Sequence, residues 1–361
     1  MTRIPLHSDI APKPASRAPQ GDFPATRPDR NDAIDAMRFV GFLAVVLLHV
    51  VTHTADSIDL RALIDHAMRF AVPVFFLISG YFAQAAMRAP WERWLRTARR
   101  LALIFVFWQV LYILADTLLF HSRTQPLLSA DFLFDTLFAG GVAWHLWFLP
   151  SLALCLGLFL VLKNGFGWPV VLSVSLALYL AGLVLGPYAT ALGIDGLLRA
   201  CGIDDPMQFA RNGPFFGTVF VAAGGAIAAR SAAHRPLFWA GIALAGFMLQ
   251  IGEAFALMQY AGGVFAPYDF LLGTLPFAVG VFLCLRDQTF PAIAASLGRH
   301  ALGMYCCHIL ILSLTDMALA RLSWSGIEYL HWPLTFVVVT LVSVAVTMAM
   351  ARLAFLRPVV S

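Results

Sequence analysis

The sequence predicts an all-α, polytopic membrane protein of about ten transmembrane helices with both termini in the cytoplasm. Three observations carry this expectation. The chain of 361 residues is 60% hydrophobic and only 12% charged, with a mean hydropathy of +0.80, more apolar surface than a soluble domain of this size needs. Ten apolar segments lie near the ~20 residues that a bilayer core requires. Lysine and arginine are unevenly shared between the connections. With the N-terminus inside, seventeen are cytoplasmic, five are outside and two lie within spans, a bias that sets orientation.

Residues 1–32 are rich in Pro, Arg and Asp and lack the continuous apolar core of a signal peptide. They are expected to form a disordered cytoplasmic tail, leaving 33–356 as one membrane domain. The spans are expected at 33–52, 64–86, 101–120, 145–162, 168–187, 213–230, 237–257, 268–286, 300–319 and 333–354, with no soluble insert and no internal repeat. The net charge of +4 reflects arginines beside spans, so no nucleic-acid partner is expected; the partner surface is the lipid bilayer. Five cysteines, most of them inside apolar runs, suggest neither a disulfide framework nor a zinc site, and no metal is expected.

The first span, AIDAMRFVGFLAVVLLHVV, holds two ionisable residues of special interest, Arg38 and His49. Eleven positions at roughly 100° each return to the same helix stripe, about 16 Å further along the axis. A cation near the inner face is thereby aligned with an imidazole near the outer face. Ionisable groups at membrane depth are costly and usually functional. Arg38 can pair with Asp35 three residues earlier or snorkel to the inner headgroups. His49 is either a structural histidine or a general base suited to neutral pH.

The second span reads HAMRFAVPVFFLISGYF. His66 and Arg69 share a face near the depth of His49, and Arg69 needs a partner. Pro73 removes a backbone donor and is expected to kink the helix. Ser79 and Gly80 leave a small-residue notch for another helix or a ligand. The stretch MRAPWERWLRTARR follows, with five arginines. It is a positive-inside anchor or a phosphate-binding rim, in which Arg99 and Arg100 are best placed. The fourth span opens WHLWFLPSL, setting His145 between Trp144 and Trp147 at the outer interface. His308, in LGMYCCHILIL, is either a packing residue or part of a polar cavity. Glu253 is a lone carboxylate in apolar sequence, expected to need a cationic or histidine partner. No phosphate loop, CxxC pair, HExxH or G-x-S-x-G elbow occurs.

Four blocks, AIDAMRFVGFLAVVLLHV with its Arg-x10-His spacing, VPVFFLISGYF, HLWFL and LGRHALGMYCCH, resemble in order the integral-membrane acyltransferase-3 family. HAMRFAVPVFFLISGYFAQ followed by WERWLRTARR is similar to the branch that succinylates periplasmic glucans. The esterase-like C-terminal extension of some members is missing, which places all chemistry in the membrane unit. The resemblance implies O-acyl transfer in a bacterial inner membrane. The donor would be cytoplasmic acetyl-CoA or succinyl-CoA, and the acceptor a hydroxyl of a glycan or lipid-linked saccharide on the far side. It puts the family's Arg and His on Arg38 and His49. The residue geometry fits that division: Arg38 with Arg99 and Arg100 at the CoA phosphates, Ser79 and Gly80 beside the pantetheine arm, and His49, His66 and Arg69 at the thioester, with His145, Trp147 and His308 on the acceptor side. His49 would act as general base or as nucleophile, and Arg69 on the oxyanion or on a succinyl carboxylate. A glycan or lipid exporter is the competing class, since ten spans with buried charges also suit transport, and a structural subunit of a glycan synthase is a third.

Overall fold

The computed structural model describes residues 31–360 apart from 55–57, 86–88, 122–125, 127–128, 139, 231–234, 261, 264–266 and 322–329. The expected tail thus lies outside the described residues except for Asn31 and Asp32, and Asp32 already opens the first helix. Among the described residues there is no strand. The helices are α1 (Asp32–Thr54), α2 (Ile58–Met68), α3 (Ala71–Ala85), α4 (Pro90–Ala115), α5 (Ala130–Phe138), α6 (Phe148–Phe166), α7 (Trp168–Leu185), α8 (Asp195–Ala200), α9 (Pro206–Asn212), α10 (Pro214–Ala229), α11 (Pro236–Met258), α12 (Thr274–Leu285), α13 (Ala292–Gly298), α14 (Ala301–Leu319) and α15 (His331–Arg352).

Nine helical stretches among the described residues are long and apolar enough to cross a membrane, and they match nine of the ten expected spans. The tenth, expected at 268–286, keeps only the twelve residues of α12 as helix. Residues 267–273 before it run as irregular backbone.

α4 shows how such a chain sorts its apolar faces. Leu101, Ile104, Phe105, Trp108 and Tyr112 are buried on one stripe. Leu103, Val106, Val110 and Leu114 recur at the same spacing on the opposite stripe and are exposed. A helix apolar all round has one face for the protein and one for lipid.

The second expected span is broken. α2 ends at Met68 and α3 begins at Ala71, so Arg69 and Phe70 form the joint. Pro73 lacks the N–H that would bond to the Arg69 carbonyl, and its ring crowds that carbonyl. The break therefore falls four residues before the proline, and it turns Arg69 out of helical register.

α10 packs against α3, α6, α7 and α9. Its seam with α3 is built on glycine. A Cβ on Gly80 would lie 2.0 Å from the Val221 carbonyl oxygen, and one on Gly224 would lie 2.0 Å from that of Leu77. Each glycine lets the partner backbone approach where a side chain would collide. The Ser79–Gly80 notch is thus occupied by α10, and the Ser79 hydroxyl donates back to the Phe75 carbonyl at 2.8 Å. These two residues belong to helix packing rather than to an open ligand groove.

Candidate functional site

α1 presents Val45, Leu48, His49 and Thr52 on one face, and all four line a cavity of about 180 Å³. The opposite walls come from five places in the chain. The joint between α2 and α3 supplies Arg69, with Asp65 and Pro73 beside it; the turn before α6 supplies Trp144, His145 and Trp147; and Arg211, Asp269 and Tyr305 complete the wall. The volume is below the ~300–1,000 Å³ of pockets that enclose whole drug-sized ligands. It suits the reacting ends of two substrates, not a whole nucleotide.

Residues Gly141–Trp147 form a 3₁₀ helix leading into α6. Gly140 and Gly141 both have positive φ, 87° and 55°, and a Cβ on Gly140 would meet the Trp144 carbonyl at 2.5 Å. That tight entry, anchored by Gln109 donating to the Gly140 carbonyl at 2.5 Å, carries His145 into the interior, where it is 1% exposed. His145 is thus turned into the bundle, whereas Trp144 beside it is exposed.

Three imidazoles converge there. The His49 ring meets Trp144 edge-on at 5.0 Å and stacks on His308 at 5.4 Å. His308 lies 5.3 Å from His145 and 5.6 Å from Tyr305, whose hydroxyl donates to the His145 carbonyl. Among the described residues no three His, Cys, Asp or Glu side chains are arranged to hold a metal ion.

A charge network forms the other wall. Arg69 donates Nε and Nη2 to the two oxygens of Asp65, each at 2.8 Å, and Nη1 to Asp269. Arg211, from the last turn of α9, donates Nη1 to the other Asp269 oxygen at 2.8 Å and Nε to Asn212 at 2.9 Å. Its guanidinium lies 4.7 Å over the Trp147 ring. Two cations and two carboxylates balance, and every nitrogen of Arg69 has a carboxylate partner, which takes three of its five N–H donors. The Nη2 of Arg211 is left over. Neither Arg211 nor Asp269 is apparent in the sequence as a site residue. Both lie in connections or short helices, and Asp269 is 200 residues from Arg69 and 58 from Arg211.

His66 does not line the cavity. It is fully buried, and Gln250 Nε2 donates to its carbonyl at 2.8 Å and faces its Nδ1 at 3.4 Å. Gln250 Oε1 in turn accepts from the Thr274 hydroxyl at 2.6 Å, so this chain of bonds ties α2, α11 and α12 together. Among the described residues Glu253 finds neither a cation nor a histidine. It accepts the Tyr188 hydroxyl and the backbone N–H groups of Leu272 and Gly273, at 3.0 and 2.7 Å, capping the approach to α12. Burial and this carboxylate together push the Tyr188 phenol above its ordinary pKa.

At the other end of the α1 stripe, Arg38 pairs with Asp35 at 2.6 Å and its side chain is 31% exposed; its guanidinium lies 5.3 Å over Phe82. Arg99 and Arg100 are exposed on the first turns of α4, and Arg100 is within electrostatic reach of Arg38. The cavity lining on α1 begins at Val45, two turns beyond Arg38. Between them Phe42 is fully buried and packs on His308, while Phe75 covers Gly41.

A family model described as "Acyltransferase domain" matches residues 31–352. The chain belongs to the acyltransferase-3 family. The match contains α1 to α15 and every residue of the cavity, so the family unit and the membrane bundle coincide. Two curated relatives, both described as "Amino-acid racemase" from Enterococcus faecalis, are more distant. One is 26% identical over 207 residues, 54% of this chain and 29% of the relative; the other is 24% identical over 245 residues, 65% and 33%. The chain thus spans about a third of the length of these relatives, and their description applies to those longer proteins. No solved structure matches.

Proposed function

We propose that this acyltransferase-3 protein moves an acetyl or succinyl group from acyl-CoA to a hydroxyl of a glycan or lipid-linked saccharide across a bacterial cytoplasmic membrane. The observation that carries the reading is the pairing along α1: an arginine with a single carboxylate partner and partial exposure at one end, and an imidazole in a cavity walled by charged and aromatic side chains at the other. Arginine forks suit phosphate, so Arg38, with Arg99 and Arg100, serves the nucleotide end of the donor. His49 meets the thioester. The acceptor oxygen ends bonded to the acyl carbon, the C–S bond breaks, and the hydroxyl proton ends on the thiol of CoA. His49 supplies either the base or the attacking nitrogen for this exchange.

Arg69 is held by Asp65 and Asp269 on all three nitrogens, while Arg211 keeps Nη2 outside its bonds to Asp269 and Asn212, which supports giving Arg211 the contact to a developing oxyanion, or to the distal carboxylate of a succinyl group as in the glucan-modifying branch, with Arg69 holding the wall beside it. His66 positions α2 rather than substrate.

Proteoliposomes containing the purified protein test this reading. Loss of acetyl-CoA or succinyl-CoA thioester that depends on a saccharide acceptor, and that disappears in His49→Ala, is the expected result. Movement of saccharide without release of CoA replaces it with a carrier.

A further inference from the structure

Two imidazoles beside His49 have their tautomers set by the backbone. Nδ1 of His308 lies 2.5 Å from the Tyr305 carbonyl oxygen. A carbonyl only accepts, so Nδ1 carries the hydrogen and Nε2 is a bare lone pair. That Nε2 is buried and has no hydrogen-bond partner among the described residues. His145 reaches the mirror state. Its Nε2 is 3.3 Å from the Cys306 carbonyl and 3.5 Å from the Tyr112 hydroxyl. The single hydrogen of that hydroxyl goes to the same carbonyl at 2.9 Å, and its oxygen accepts the Leu310 N–H at 2.9 Å. Neither neighbour can donate to His145, so Nε2 is the N–H and Nδ1 the bare lone pair, again buried and without a partner.

The two rings are 5.3 Å apart and nearly perpendicular. A buried acceptor left without a hydrogen bond is costly, because water no longer serves it and nothing replaces the water. Two of them side by side, His145 in the wall of the cavity and His308 behind it, form a place where a hydrogen is wanted.

We propose that His145, backed by His308, is the base that takes the proton of the acceptor hydroxyl, which leaves His49 to carry the acyl group. This rests on the acyl-transfer reading above. His145 lines the cavity and meets the hydroxyl; His308 does not, and is a positioning residue behind both other rings. In the first half, a His49 nitrogen attacks the thioester carbon, the C–S bond breaks, and the proton of the other His49 nitrogen leaves on the thiol of CoA. In the second half, the acceptor oxygen attacks the acyl-imidazole and the C–N bond breaks. The hydroxyl proton passes to Nδ1 of His145 and returns from there to His49.

The two halves are separable without knowing the natural acceptor. Exchange of labelled CoA into acetyl-CoA or succinyl-CoA, with no acceptor present, reads the first half; acylation of octyl glucoside as a hydroxyl probe reads both. Wild type is expected to do both and His49→Ala neither. His145→Phe is expected to keep exchange and to lose octyl glucoside acylation by about 10²–10⁴-fold, the range for a general base, with a smaller loss in His308→Phe. His145→Asn, whose carboxamide oxygen accepts a hydrogen bond near the place of Nδ1 but cannot take up a proton, is expected to stay as low as His145→Phe, which separates proton transfer from positioning. Nitrogen NMR of the histidine-labelled full chain reads the tautomers directly, independent of turnover, with signals assigned by their disappearance in the variants. The assignment is overturned if wild type acylates without exchange, if His145→Phe loses both halves in proportion or neither, or if the NMR shows the opposite tautomers. A wild type that neither exchanges nor acylates with either thioester sinks the acyl-CoA reading itself and takes this assignment with it.

Discussion

Arg38 and Arg69 belong to the same bundle and live under opposite conditions. Arg38 has one carboxylate, three residues away on its own helix, and its side chain is 31% exposed. Arg69 is 14% exposed and is gripped by Asp65 from its own segment and by Asp269 from 200 residues away. The first arrangement costs little to open, because a partly exposed pair contributes about 0–1 kcal/mol. The second has its charges withdrawn from solvent, and removing one partner strands the rest. An arginine at membrane depth is thus no mark of a ligand site by itself. What separates an available cation from a structural one is how many of its donors are already taken.

Four changes press on that contrast. The largest effect is expected at the His49 end of α1. His49→Ala removes the cavity imidazole and lowers acyl transfer by about 10²–10⁴-fold, while thermal unfolding in detergent stays at the wild-type midpoint. A folded variant with wild-type transfer removes His49 from the chemistry. Next comes Asp269→Ala, which uncovers Arg69 and Arg211 together; loss of a buried partner costs about 3–5 kcal/mol, read as a large fall in the unfolding midpoint. A change under ~1 kcal/mol would put the network in the class of Arg38. Gly80→Ala, midway between the two ends, forces a methyl against the Val221 carbonyl; a cost of about 1–3 kcal/mol is expected for such overpacking, and a neutral result would show that the α3–α10 seam is loose. The smallest change in stability is expected for Arg38→Gln, below about 1 kcal/mol. Its effect appears instead in KM for the thioester, raised about tenfold or more, as expected when a charged hydrogen bond of about 1.5–3 kcal/mol is lost.

Much of this was legible from residue order. Apolar runs located nine of the membrane-length helices, because a helix facing lipid on one side and protein on the other has no polar stripe to hide it. The i,i+3 spacing of Asp35 and Arg38 announced their pair, and Pro73 announced a break near it. Histidines 49, 145 and 308 were singled out because an imidazole in grease demands an explanation. What failed to show were the partners. Asp269 and Arg211 sit in connections where charge is ordinary, so nothing local distinguishes them from solvated loop residues. Glu253 was expected to meet a cation; a phenol and two free backbone N–H groups serve it as well, and no spacing encodes them. The Ser79–Gly80 notch was ambiguous in isolation. Its answer lay in α10, where Gly217, Gly224 and Gly225 form a matching stripe of small residues.

The shortness of α12 reaches further than its own packing. Twelve residues rise about 18 Å, a little over half of a ~30 Å hydrocarbon layer. Lipid tails cannot bond the peptide groups of residues 267–273, and side chains do so instead: Glu253 takes the N–H of Leu272 and Gly273, Thr274 takes that of Leu271, and Tyr179 donates to the Leu271 carbonyl. The half-length span thus trades helix bonds for side-chain ones, and the carboxylate of Glu253 becomes part of the backbone bonding that a full-length helix would supply for itself.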